Sequence, residues 1–457
     1  MSTENGRELW SSRWGFLLAS VGFAVGLGNI WRFPFVTGVN GGGAFLLVYL
    51  IAALLISLPL LICEFGIGRL GRASSTGSYR NVAAKAGISR RWGGAGTLAV
   101  FCVFMIASYY TVITGWTLDY FVRASKNDFE GLDALTSGNM FAELTGSPAR
   151  LLFWNTMVYL LIVVILRQGV QKGVERAATV MMPAMFLALI IMVGYAAVEG
   201  DMPAAVKFLL QPDFSKLNFQ TVLAAIGQAF YSIGIGLAGM MVFGSYLPRD
   251  VSIPRFALAI ILIDTAVALL AGFMIFPIVF VFGLEPTAGA GLLFQTLPLA
   301  FGQMPGGHLF GAIFFLLLIV AALSSCIGLA EACIAWAEEH WKIPRRAGAM
   351  WISGLAWVVG IVTIMSLGDW SEYYPLDFIP AFAGKNLFSA IDFLAANIFL
   401  LLGGLLTSIF MGWRIPKAIN LEAMGIPDGP LYGFVTFMLR FVIPVALGVA
   451  LVMGLWV

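Results

Sequence analysis

Two short glycine motifs, Gly26-Leu27-Gly28 and Gly234-Ile235-Gly236, lie in the middle of apolar runs. A helix interrupted there frees backbone N–H and C=O groups that hydrocarbon cannot hydrate, so a break persists only where protein or ligand satisfies them. The N-terminal end of a half-helix favours a carboxylate, and unwound carbonyls favour a cation. A zwitterionic amino acid with Na⁺ suits such a pair. A single motif is better explained by close helix packing, as in Gly22-x-x-x-Gly26. Two at matching positions favour breaks.

Three acids, Glu64, Asp264 and Asp392, sit in apolar runs, where each costs about 2.5 to 3.5 kcal/mol on the insertion scale. Each needs a partner. Glu64 is predicted to accept N–H groups from an unwound sixth helix. In the fifth helix Gly173 precedes Pro183; proline removes a donor and clashes with the preceding turn, so local unwinding is expected at the inner end. The cysteines, Cys63, Cys102, Cys326 and Cys333, all lie in apolar runs and read as packing. His308 and His340 have no ligand-spaced partners, and no nucleophile with a base is evident, so neither a zinc site nor an enzyme is expected.

The elements that must position these residues are membrane helices. With 60% apolar and 11% charged residues among 457 and no alternation of apolar and polar positions, the chain needs lipid as solvent and is not a β-barrel. A span takes about 20 residues, and apolar runs place eleven, near 13–37, 42–68, 93–122, 150–167, 176–198, 220–247, 255–283, 308–337, 347–367, 387–412 and 431–456. The first, behind Arg7 and Arg13, is too long for a cleaved signal and should remain. Of the 26 Lys and Arg, 18 fall in alternate loops, six of them between Arg69 and Arg91, which predicts a cytoplasmic N-terminus and an outer C-terminus. The chain carries no Asn-x-Ser/Thr acceptor, which fits a bacterial inner membrane. Five spans separate the glycine motifs' repeats, so the halves 10–198 and 219–412 should be inverted, with 429–457 as an accessory helix of one transmembrane domain, 1–457. Polar groups clustered at two breaks favour a carrier over a channel, and nothing suggests nucleic-acid binding.

The stretch Gly22-Phe-Ala-Val-Gly-Leu-Gly-Asn-Ile-Trp-Arg32, followed by Phe33-Pro34 and Gly41-Gly42-Gly43, resembles the first helix of the neurotransmitter:sodium symporter family, most closely a bacterial amino-acid branch. The resemblance implies an all-α, LeuT-like five-plus-five inverted repeat with helices 1 and 6 broken. It implies a first sodium site from Ala24, Asn29, Ser232 and Asp264, and a second from Gly22, Val25, Ala321, Ser324 and Ser325. The substrate would be held by Ala24, Leu27, Gly28, Ile106, Tyr110, Tyr231, Ser232, Gly234, Leu237, Ser325 and Leu329. Gates would form from Arg32 with Asp392 outside and from Arg7 with Glu339 inside, where Trp10 caps them. Gly26 stands where amine-transporting relatives carry aspartate, which points to amino acids. Gly234 and Leu237 leave room for large apolar side chains, and the built-in Asp264 carboxylate implies transport without chloride. The implied function is import of aliphatic and aromatic L-amino acids with two Na⁺. The alternative is a proton-coupled or other-substrate carrier of the same fold. Ending at eleven spans removes the family's twelfth helix, so a monomer or weak dimer is expected. The segment 286–305 is expected to fold as a lid over the entrance.

Overall fold

The computed structural model describes residues 3–4, 7–283 and 291–456, with side chains between residues 8 and 454. The expected side-chain role of Arg7 therefore lies outside the described residues, as do residues 284–290 and so the first part of the proposed lid. The one strand pairing among the described residues is a two-residue antiparallel ladder, Thr3–Glu4 with Arg7–Glu8. Everything else regular is helix.

The first span is two rods, α1a (Arg13–Ala24) and α1b (Gly28–Val39), bent by 50°. After them come α2 (Gly43–Gly71), α3 (Arg90–Ser125), α4 (Pro148–Leu166) and α5 (Val170–Glu199). The sixth rod is split into α6a (Phe219–Ile233) and α6b (Gly239–Ser245). The chain continues through α7 (Ile253–Val281), α8 (Gly307–Trp341), α9 (Arg345–Leu367), α10 (Leu387–Arg414) and α11 (Pro430–Gly454). Nine of these are continuous helices long enough to cross a bilayer, and the bent first pair makes a tenth. Neither half of the sixth is long enough alone. Polar caps set several starts: Ser12 accepts from Gly15 N, Asn218 from Thr221 N and Asn386 from Ser389 N.

Burial separates centre from rim. In their apolar 18-residue stretches, 72% of residues in α3 and in α8 are buried, against 28% in α5 and 33% in α11, and Leu187, Ile190, Phe441 and Val445 are exposed. Apolar exposure on the outer helices is what lipid demands, and the protected interior belongs to α1, α3, α6 and α8. The predicted spans match these rods except at polar ends. For example, α5 begins at Val170 rather than 176, because Lys172 and Glu175 are carried inside its first, wide π-type turns. From Val170 to Glu199 the helix is continuous, with Gly173 inside the π-type turns and Pro183 accommodated, so the inner-end unwinding expected there is absent from this conformation. The described part of the lid, Leu292–Thr296 and Leu297–Gln303, is packed inward; Phe294 is fully buried and its carbonyl accepts from Tyr120 Oη at 2.8 Å.

Candidate substrate and ion site

At the first break the backbone turns from helix at Ala24 to extended at Val25 (φ −74°, ψ 115°). The N–H groups of Gly26 and Leu27 lose their helical acceptors. Asn29 Oδ1 takes the first at 3.1 Å and Tyr110 Oη the second at 3.0 Å. A side chain at Gly26 would force its neighbours to move: a Cβ there would stand 2.5 Å from Ser325 Oγ and 2.7 Å from Tyr110 Oη. The motif is therefore both a break and a close approach of α1 to α3 and α8.

At the second break Gly234 (φ 69°) and Gly236 (φ 85°) occupy the left-handed region that glycine enters without strain. The freed Gly236 N–H donates to Glu64 Oε1 at 2.6 Å; Glu64 is 1% exposed. Gln228 Nε2 ties α6a to the Gly28 carbonyl at 3.1 Å, so the two breaks face each other.

The carbonyls that α1a leaves behind converge on α8. Ser325 Oγ lies 3.5 Å from Gly22 O, 3.3 Å from Phe23 O, 3.3 Å from Val25 O and 3.4 Å from Ala321 O. One hydroxyl has one proton to donate, so the remaining carbonyl dipoles present a concentrated negative field, the environment a hard cation seeks. Ser324 Oγ donates back to Ala321 O at 2.8 Å, the ordinary intrahelical bond, and keeps its lone pairs. Next to this cage, Asp264 is fully buried and accepts from Ser232 Oγ at 2.7 Å and Asn29 Nδ2 at 2.8 Å, with Tyr49 Oη at 3.5 Å. The Asn29 amide thus turns its nitrogen to the carboxylate and its oxygen to Gly26 N. Offering that oxygen to a cation requires a half-turn of the amide, which would release Gly26 N.

Between the breaks lies a cavity of about 40 Å³. All the residues expected around the substrate line it except Leu27, which faces a second, outer cavity of about 250 Å³. Tyr110 and Tyr231 line both and form the partition. Two lining residues were not on the expected substrate list, Gly26 and Phe23. The Phe23 ring is the nearest neighbour a Cβ would meet at Gly234, Gly239 and Gly328, so it occupies a slot walled by glycines from α6 and α8. An apolar residue in an apolar helix carries no sequence signal for this role. Its wall is visible only once distant glycines are brought together.

The expected outer gate is not closed by an ion pair. Arg32 and Asp392 line the same outer cavity, and the Arg32 guanidinium lies 4.2 Å above the Tyr231 ring, with no bond between the two charges among the described residues. On the opposite side the structure is tightly shut. Trp10 is 2% exposed, its Nε1 donates to Phe243 O at 3.0 Å and its N to Tyr246 O at 3.1 Å. Glu339 accepts from Ser74 N at 2.7 Å, and Tyr246 Oη donates to Glu331 Oε1 at 2.8 Å beside the Glu331–Arg345 pair. Glu175 on α5 holds the N-terminal strap by accepting from Ser11 N at 2.9 Å and Ser11 Oγ at 2.6 Å. Sequence reasoning assigned no part to Glu175, Glu331 or Arg345.

A helical membrane protein with two breaks around one buried polar centre, closed on one side, has the architecture of a transporter. Comparison with known proteins agrees. The family model described as the sodium:neurotransmitter symporter family matches residues 7–130 and 145–446, and the chain belongs to that family of sodium-dependent membrane transporters, which are not enzymes. It is 37% identical over 442 residues to an uncharacterized sodium-dependent transporter of Bacillus subtilis, YhdH, covering 96% of this chain and 95% of the relative. It is 30% identical over 464 residues, the full length of both, to an uncharacterized sodium-dependent transporter of Haemophilus influenzae. The crystal structure of MhsT in complex with L-phenylalanine superposes with a TM-score of 0.90 at 37% identity, covering 98% of this chain and all of that one.

Proposed function

We propose that this transporter imports hydrophobic L-amino acids, aliphatic and aromatic, coupled to two Na⁺ and independent of chloride, across a bacterial inner membrane with its N-terminus cytoplasmic and its C-terminus outside. The observation that carries this is the first break. There the Tyr110 hydroxyl, already held by Leu27 N–H, and Ser232 line a cavity that would take an α-carboxylate, and Ser325 of the carbonyl cage lines the same cavity. The similarity to a structure holding L-phenylalanine supports the substrate class. In this reading Ala24, Asn29, Ser232 and Asp264 bind the first ion, and Gly22, Val25, Ala321, Ser324 and Ser325 the second. The halves 10–198 and 219–412 act as inverted repeats that rock about the fixed site, and the protein works as a monomer or weak dimer. Each entering Na⁺ gains about 2.3 kcal/mol per 100 mV of membrane potential, so two ions can drive strong accumulation.

A cavity of about 40 Å³ holds only a few waters. A large apolar side chain therefore enters by displacing the Phe23 ring and Leu237. The test is uptake of radiolabelled leucine and tryptophan into proteoliposomes. Uptake should require an inward Na⁺ gradient, fail with choline, and persist when gluconate replaces chloride. Uptake driven by a proton gradient without Na⁺ would overturn the coupling, and failure of tryptophan or phenylalanine to compete with leucine would overturn the substrate range.

A further inference from the structure

The first turns of α5 are wound although their sequence opposes it. They start at Gly169 (φ 97°), run through Val170–Glu175 and contain Gly173, and glycine is the weakest helix former after proline. A helix start also leaves its first N–H groups without intrahelical acceptors. Two of them are answered from another part of the chain. The carboxylate of partly buried Glu8, in the N-terminal strap, accepts from Val170 N at 2.9 Å and from Gln171 N at 3.1 Å, one on each oxygen. Gln171 Nε2 donates to the Leu9 carbonyl at 2.6 Å. Gly169 makes room for this contact, since a Cβ there would stand 2.9 Å from Glu8 Oε2, and its positive φ is one that other residues rarely adopt.

The tie is reciprocal. Glu175, in the same turns of α5, points back and accepts from Ser11 N, Ser11 Oγ and Ser12 Oγ at the start of α1a. It fills the notch left by Gly15, where a Cβ would overlap it. Six hydrogen bonds thus join residues 8–12 to residues 170–175. Further along, α5 covers the carbonyl cage, for Met182 Sδ is the nearest atom that a Cβ at Gly22 would meet, at 3.2 Å. We propose that Glu8 is a positioning residue that latches α5: it caps the first turns and holds them wound, so the strap cannot lift without uncapping the helix that covers the cage. Movement of α1a and loosening of α5 are then one event. The unwinding expected from Gly173 and Pro183 awaits the departure of Glu8. What the latch does for an ion rests on the proposed sodium sites; the capping itself does not.

The experiment follows hydrogen–deuterium exchange by mass spectrometry on the full chain in lipid nanodiscs. It reads the backbone N–H groups of residues 170–175, with 190–199 at the far end of α5 as internal reference. Glu8→Ala should speed exchange at 170–175 about threefold to thirtyfold, the effect of losing a helix cap, and leave 190–199 unchanged. Glu8→Gln keeps one acceptor oxygen and should fall between wild type and alanine; it carries the test if the alanine variant is unstable. Trp10→Ala loosens the strap with Glu8 intact and should also speed exchange at 170–175. Glu372→Gln, exposed between α9 and α10, is the control and should match wild type. Wild-type exchange at 170–175 in both Glu8 variants, or an equal rise at the two ends of α5, would overturn the proposal. So would Trp10→Ala leaving 170–175 unchanged, because α5 would then stay wound without the strap. In the wild type, replacing Na⁺ by choline should speed exchange at 170–175. If choline has no effect while Glu8→Ala does, the latch stands and the sodium assignment fails.

Discussion

Replacing Gly26 by alanine adds one methyl at the most crowded point of the site. Gly26 is not among the residues with positive φ, so the backbone accepts alanine without strain and the effect is contact alone. The new Cβ would stand 2.5 Å from Ser325 Oγ, where an ordinary contact begins at 3.4 Å; the difference, 3.4 minus 2.5, is about 0.9 Å of forced movement. Ser325 Oγ sits 3.3 Å from both Phe23 O and Val25 O, so a shift of that size removes it from the carbonyl cage. Tyr110 Oη, 2.7 Å from the same methyl, is pushed off Leu27 N. Overpacking of this kind costs about 1 to 3 kcal/mol, which corresponds to about fivefold to 150-fold in an equilibrium constant. Because the displaced groups lie at both the carbonyl cage and the carboxylate place, the Na⁺ concentration for half-maximal leucine binding and the leucine Kd should rise together. Scintillation-proximity binding at several Na⁺ concentrations measures both. Gly138→Ala, with nothing within 4 Å of its added methyl, is the control and should behave as wild type. A Gly26→Ala protein with unchanged Na⁺ and leucine dependence would show that Ser325 and Tyr110 do not meet ligand here.

Phe23→Ala should enlarge the central cavity and shift competition toward tryptophan relative to leucine, read as the ratio of their inhibition constants; an unchanged ratio would remove Phe23 from the size limit. Glu64→Ala leaves the Gly236 N–H without its acceptor inside the bilayer and should cost about 1 to 3 kcal/mol of thermal stability. Glu64→Gln keeps a carbonyl oxygen for that donor and should recover most of the loss; equal destabilisation by both variants would argue against the bond. Asp119, 1% exposed, accepts from Arg123 Nε at 2.8 Å, Arg150 Nε at 2.6 Å and Trp154 Nε1 at 2.8 Å. Removing it by Asp119→Ala leaves Arg123 and Arg150 only the longer contacts to exposed Glu143, at 3.3 and 3.5 Å, and should destabilise by about 1 to 3 kcal/mol, seen as a lowered Tm, with leucine affinity in the folded fraction unchanged.

Legibility followed the kind of signal each residue carries. The breaks were readable because glycine pairs in the middle of apolar runs are costly in a helix, and Glu64 because a carboxylate in hydrocarbon demands a partner. The long apolar rods were readable from length alone, and their ends were not. Lys172 and Glu175 look like loop residues, yet Glu175 is inside α5, turned inward to hold Ser11 and Ser12. Asp119 was missed for a related reason, since its two arginine partners look like outer-loop charges and one of them is 31 residues away. The gates show the limit most clearly. Arg32 and Asp392 reach the same cavity but stay apart, while the opposite side is sealed through Trp10, Glu331, Arg345 and Tyr246.

Sequence can name the charges available to a gate. Which gate is closed is a difference in free energy between two packings of the same residues, and no residue type encodes it locally. The inner seal shows what sets that balance here. Trp10 and Ser11 bind α1a's leading strap to α6b and α5, so opening inward must break the Trp10–Phe243 bond and both Ser11–Glu175 bonds together. Filling the carbonyl cage with a cation would draw Gly22 and Val25 of the same half-helix toward Ala321 and Ser325 of α8. The ion and the strap therefore pull α1a the same way, and release of the ion weakens the closed side without any separate signal. In the proposed mechanism that shared lever would convert a sodium gradient into movement of a substrate held between the same half-helix, α3, α6 and α8.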